Sequence, residues 1–135
     1  ASTSSERFAA IEALSGAGII TGVMLMPVLP FITDSAENIT NIVRPAAGNG
    51  ARFVYPSFGV TLRQDQREYF YERLDKLFPG IKDRYIEAFG ESYICSSPEH
   101  GKLRDLFESE CRKHGLLYRM PDIIEAYKVE KEAFF

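Results

Sequence analysis

The sequence predicts the α/β class: a helix–strand–helix–strand run of βα units followed by a helical subdomain. Three observations predict it. Val23 to Asp34 is an apolar run that passes through Pro27 and Pro30 and stops at a helix-start signal, the pattern of a buried parallel strand feeding a loop before a helix. Helix-start signals at residues 3–6 and 34–37 flank that run, which places a helix on either side of the strand. From Gln64 onward, apolar and aromatic residues recur at helical spacing between Pro-Gly and Gly breaks, so the second half reads as helices. In βα folds ligands collect at the carboxyl ends of strands, and the segment from Pro27 to Asp34 is where a site is expected.

Each element has its own warrant. Thr3-Ser4-Ser5-Glu6 fits a capping box, with Phe8, Ile11 and Leu14 following at helical spacing. Gly16-Ala17-Gly18 stops that helix, because glycine takes the left-handed conformation at little cost. Ile19 to Met26 is the first strand, apolar on both faces apart from Thr21 and Gly22. Asp34 then caps a second helix that turns Ile39, Ile42 and Val43 inward. Pro45 lacks an N–H and clashes one turn back, so that helix is expected to end or kink near Arg44. Ala51 to Ser57 is the second strand. Two parallel strands alone leave edges that need partners, and the chain therefore looks like a truncated βα repeat.

Past a loop at residues 58–61, Gln64 to Phe78 reads as a helix with Phe70, Leu74, Leu77 and Phe78 on one face. Pro79-Gly80 breaks it, and Ile81, Tyr85, Ile86 and Phe89 mark a short helix ended by Gly90. Tyr93 to Ser96 is a loop or short extended piece. Ser97 caps the next helix, with Pro98 at its first position. That helix carries an inner stripe of Leu103, Leu106, Phe107, Glu110 and Cys111 and ends at Gly115. Leu116 to Tyr118 is a short extended connection, and Pro121 opens a last helix through about Tyr127, with a charged tail behind it. The organisation is thus residues 1–60 as βα units and residues 61–135 as a helical subdomain.

Composition narrows the function classes. With 135 residues the chain is long enough to bury one core. A net charge of −3 gives no basic footprint for a dedicated nucleic-acid surface. No apolar stretch approaches the roughly 20 residues of a membrane span. Cys95 and Cys111 do not make a disulfide framework, and a cytoplasmic protein with reduced thiols is expected. The sequence has no glycine-rich phosphate loop, metal-ligand cluster or nucleophile–base pair.

Glu6 to Ile19, followed by Pro27 to Asp34, resembles the later half of a radical S-adenosylmethionine enzyme, in the branch of DNA repair photolyases or spore photoproduct lyase-like proteins. The likeness continues through Thr61-Leu62-Arg63, residues 67–71, Phe78-Pro79-Gly80, Phe89-Gly90 and Tyr93-Ile94-Cys95, and so covers nearly the whole chain. It implies a partial (β/α) TIM-like barrel, of which this chain is the C-terminal part with a helical cap. It also implies a 4Fe–4S cluster held by a CxxxCxxC loop and an S-adenosylmethionine cofactor cleaved to a radical that abstracts hydrogen from substrate. This chain has no CxxxCxxC, and its two cysteines lie 16 residues apart (95 to 111). They cannot hold a cluster that needs three or four thiolates. The implied molecule is a fragment, inactive alone, whose partner is the missing N-terminal half of the barrel. DNA enters as a substrate by analogy only.

The resemblance also implies a site. By position, Met24, Met26, Pro27 and Pro30 would form cofactor-pocket wall, Tyr55 and Ser57 would stand at the carboxyl end of the second strand, and Arg63 would meet a substrate carboxylate or phosphate. Cys95 and Tyr93 are candidate hydrogen donors. Each has a plainer competitor. Met24 and Met26 are more often core filler than cofactor wall, Arg63 and Arg67 pair more readily with Asp65, Glu68 or Glu72 on a solvated surface, and for Cys95 a structural or incidental role comes ahead of a catalytic one. Cys111 reads as a small buried hydrophobe, and His100 and His114 as exposed. The alternative function is a non-catalytic α/β module that binds or self-associates through its open sheet edge.

Overall fold

The computed structural model describes residues 1–134, the last five by their backbone alone. Helix α1 (Ser4–Gly16) begins at the expected capping box. The Glu6 N–H donates to the Thr3 hydroxyl (3.2 Å), and the Thr3 N–H donates to the Glu6 carboxylate (2.6 Å). Strand β1 (Gly22–Leu25), helix α2 (Ala36–Gly48) and strand β2 (Phe53–Pro56) follow. The strands pair in parallel, with Gly22 opposite Phe53 and Met24 opposite Tyr55. On the far side of β2 a single rung is added by Leu117: the Val54 N–H donates to its carbonyl and its N–H donates to the Arg52 carbonyl, both at 2.9 Å.

The remaining elements are β3 (Gly59–Thr61), α3 (Gln64–Leu77), α4 (Ile81–Phe89), β4 (Ile94–Ser96), α5 (His100–Lys113) and α6 (Met120–Phe134). β3 and β4 pair antiparallel in a second two-stranded sheet. α6 runs past the end expected near Tyr127, and the side chains of the charged tail beyond 129 lie outside the described residues.

Side chains alternate across a strand, and here the two faces of the first sheet fare differently. Val23, Leu25 and Val54 turn into a core completed by Ile39, Val43 and Ala46 of α2 and by Leu103, Phe107 and Cys111 of α5. The opposite face carries Gly22, Met24, Phe53 and Tyr55, none of them buried, and Met24 is 55% exposed. Phe53 lays its ring over Gly22, where an added Cβ would come within 2.5 Å of three ring carbons. Glycine is what permits that approach.

The expected partial barrel is overturned. The protein is an α-rich small domain, 57% helix and 12% strand, with two separate two-stranded sheets. The apolar run before Pro27 does become a strand, and its pairing is parallel, but a βα signal is local. It reports one strand and the helix after it, and says nothing of how many strands stand beside them.

Four smaller expectations also change. The cap of α2 is Ser35, whose hydroxyl accepts from the Asn38 N–H; Asp34 instead accepts a 2.5 Å hydrogen bond from the Ser97 hydroxyl. Ser97 is thereby committed across 63 residues and does not cap α5, which starts at His100 with Glu99 before it. Pro45 sits inside α2 without ending it; the carbonyl one turn earlier belongs to exposed Asn41, where water can satisfy it. The segment expected as a loop after Ser57 contains β3, whose partner lies some 35 residues away, beyond the reach of local pattern.

A second packed cluster forms around Tyr85. Its ring meets Phe31 at 5.6 Å, Phe70 at 5.4 Å, Tyr71 at 6.4 Å and Phe89 at 5.4 Å between centroids, mostly edge to face. The Arg84 guanidinium covers the Phe31 ring at 4.2 Å. Leu77, Phe78 and Ile86, expected to face inward, are instead exposed.

Glu110 is the one acidic side chain buried in the described core, 6% exposed, and it pairs bidentately with Arg44 at 3.2 and 3.3 Å. The Arg44 hydrogen bonds hold its carboxyl below the ordinary value of 4.5, against the opposing effect of burial. A depressed carboxylate contributes stability above its unfolded pKa and loses it as pH falls through the folded one. Glu110→Gln is therefore expected to lower stability at pH 7, with the gap from the parent closing in acid below pH 4.5. Urea unfolding across that range checks it, and a gap that stays constant with pH would refute the pairing.

Candidate functional site

A cleft of about 620 Å³ opens where β1 and β2 end. Met26 and Pro27 come from the β1 terminus, and Pro56, Ser57 and Phe58 from the β2 terminus. β3 and β4 form one side with Val60, Thr61, Ile94 and Ser96, and the first turns of α5 bring His100 and Arg104 to the rim. The loop after β1 is held in place by its own hydrogen bonds. The Val28 N–H donates to the Ser57 carbonyl (2.8 Å), the Ser57 N–H donates to the Leu25 carbonyl (3.0 Å), and the Leu29 N–H donates to the Thr33 hydroxyl (2.7 Å). Arg104 lies over the Phe58 ring at 5.5 Å, and His100 places Nδ1 3.0 Å from the Ser97 carbonyl.

The structure brings Met26, Pro27 and Ser57 together in this cleft. It does not bring in the rest. Pro30 is fully buried and does not line the cleft. Met24 lines a different groove of about 460 Å³, between α1 and β1, together with Phe8 and Ile11. Tyr55 is half-buried on the open sheet face beside Met24. Arg63 is exposed next to Tyr93, and the Thr61 hydroxyl, followed by the Arg63 guanidinium, holds the Tyr93 phenol below its ordinary value. Among the described residues Arg67 pairs with no carboxylate; it donates to the Leu62, Glu91 and Ser92 carbonyls at 3.0, 2.6 and 3.3 Å and so clasps the turn before β4.

The cysteines are inert in character. Cys95 is fully buried, its thiol 3.6 Å from the Ser92 carbonyl, and burial raises its pKa. Tyr93, two residues away, is half-exposed, and neither residue lines the cleft. Cys111 is also fully buried, its thiol pushed up to about 12. Low-pKa, accessible thiolates are the reactive ones.

His100, Arg104 and Phe58 were missed by sequence reasoning. A signal existed: His100 and Arg104 are four apart on one helix, hence on one face. What hid them was the absence of a local clue that α5 begins at the strand ends.

The fold and cleft define an α-rich domain built around one parallel β–α–β unit, with an open cleft at the carboxyl ends of its strands. No family model matches the chain, and no solved structure does. It is similar to uncharacterised proteins of Mycobacterium tuberculosis and Mycobacterium bovis, 37% identical over 87 residues, which is 64% of this chain and 25% of each relative. The chain thus spans about a quarter of the length of the curated relatives it matches. Among the described residues no helix is long and apolar enough to cross a membrane.

Proposed function

We propose that this chain serves within a longer radical S-adenosylmethionine enzyme of the DNA repair photolyase-like kind, as a wall of the cofactor pocket and a cap on the substrate side. The observation that carries the reading is the uncovered face and edge of the first sheet. Parallel sheets are ordinarily covered on both faces, yet Met24 is 55% and Met26 39% exposed. The Thr21 and Leu25 carbonyls accept from the N–H groups of Arg52 and Ser57, which flank β2, and alternation along the strand turns the backbone groups of Gly22 and Met24 outward, away from β2, where no other strand pairs with β1 among the described residues. A further strand, supplied by the rest of a longer protein, would cover that edge and complete the groove beside α1.

The residues of this chain do not fit the cluster. Cys95 and Cys111 are both buried, and among the described residues no three His, Cys, Asp or Glu side chains converge. Under this reading the cluster ligands belong to other parts of the longer protein, and this chain alone is inactive. S-adenosylmethionine would supply the hydrogen-abstracting radical. The chain's own part is to shield that chemistry from water with Met26, Pro27 and Phe58 and to position substrate, DNA or another hydrogen donor, across the strand ends. The compartment is the cytoplasm, where both thiols stay reduced.

The open β1 edge equally favours a second reading, a non-catalytic module that pairs with another copy or another chain. The test is anaerobic calorimetry with S-adenosylmethionine, on this chain and on the chain co-expressed with the remainder of a full-length protein. Cofactor binding and iron–sulfur absorbance in the co-expressed form alone are expected. Their absence from both forms, with self-association of this chain in sedimentation, would replace the enzyme reading with the module.

A further inference from the structure

We propose that the cleft at the strand ends is an oxyanion-binding site that this chain possesses by itself, taking a small aromatic ligand that bears a carboxylate or a phosphate. Charge is the first argument. The chain carries a net charge of −3 with 19 acidic residues, yet among the described residues the only ionisable side chains lining this cleft are Arg104 and His100. An acidic protein whose described carboxylates all stay off one concave surface has made that surface locally positive.

Arg104 is also available. Its nearest carboxylate, Glu108, lies 3.9 Å away, too far for a hydrogen bond, and Glu108 is shared with Arg112 at 3.8 Å. Among the described residues the Arg104 guanidinium makes no hydrogen bond, while its Cζ lies over the Phe58 ring, 5.5 Å from the centroid. A guanidinium over an aromatic face with free donors suits bidentate contact with a planar carboxylate or a phosphate. The Ser57 and Ser96 hydroxyls, both on exposed residues of the same lining, offer further donors.

The floor decides the rest of the ligand. Met26, Pro27, Phe58 and Ile94 give an apolar surface beneath the cation, and a flat hydrocarbon body covers such a surface at little entropic cost. The site is the same cleft in which the radical-enzyme reading seats substrate, but it does not depend on that reading, because it needs neither a second chain nor a cofactor.

The test is a heteronuclear NMR titration of this chain with phenyl phosphate, benzoate and inorganic phosphate as separate probes. Phenyl phosphate and benzoate are expected to shift the amides of Ser57, Phe58, Val60 and Arg104, with inorganic phosphate weaker than phenyl phosphate. The ratio of the two aromatic probes tells which anion the cleft favours. Arg104→Gln, on an exposed side chain, is expected to weaken the better aromatic probe roughly tenfold. Ser57→Asp, which sets a carboxylate on the cleft wall, is expected to weaken it at least as much. Binding unchanged in both variants, inorganic phosphate equal to phenyl phosphate, or no shifts at these amides would each overturn the proposal. Failure of S-adenosylmethionine binding with these shifts retained would sink only the radical-enzyme reading.

Discussion

Tyr85→Ala is expected to remove about 3–5 kcal/mol of stability, a large share of the roughly 5–15 kcal/mol available to a small domain. Tyr85 is fully buried and touches Phe31, Phe70, Tyr71 and Phe89, so its loss empties the centre of the cluster that joins α3, α4 and the loop after β1. Its hydroxyl makes the prediction sharper. That oxygen is buried without a hydrogen-bond partner among the described residues, and burial raises its pKa, so the ring stabilises the fold and the hydroxyl does not. Tyr85→Phe is therefore expected to leave stability unchanged or raise it by up to about 1 kcal/mol. Urea unfolding of the two variants separates the contributions. Equal losses in both would show that the hydroxyl has a partner and that the ring cluster is not what holds α4.

The contrast between Tyr85 and Ile86 shows where the sequence was legible. Both lie on the expected inner stripe of α4, yet one is fully buried and the other 46% exposed. Period 3.6 locates a face within about one residue; which neighbour covers which part of it is settled by α3 and by Phe31, a residue with positive φ in a loop. The capping box of α1, the stops at Gly16 to Gly18 and Gly115, and the stripe of α5 were readable because each depends on residues within one or two turns. β3, the Asp34–Ser97 bond and the Leu117 rung were not, since each joins segments 33 or more residues apart. The site divides the same way. Met26, Pro27 and Ser57 follow from the strand-end rule, whereas His100 and Arg104 arrive on a helix whose start depends on Ser97 being engaged elsewhere.

Phe107→Ala is expected to cost as much as Tyr85→Ala, about 3–5 kcal/mol, and to reach the cleft as well. Phe107 is fully buried on α5, with its ring 5.8 Å from Phe58 and 6.0 Å from Tyr118, both near edge to face. It therefore backs the same Phe58 ring on which Arg104 rests. For a domain of this size the loss corresponds to a fall in melting temperature of roughly 10–20 °C, read by calorimetry. Phe107→Leu keeps most of the volume and is expected to cost ~1.5 kcal/mol or less. A double-mutant cycle with Phe58→Ala isolates the ring pair, for which a coupling of about 0.5–1.5 kcal/mol is expected. The functional consequence follows from the same contact. With Phe107 truncated, Phe58 loses its backing, the guanidinium above it gains freedom, and binding of phenyl phosphate is expected to weaken even at temperatures where the chain is folded. Phe107→Ala with intact anion binding and no coupling to Phe58 would mean that the cleft floor is held by β3 and β4 alone, and that the core and the site are independent.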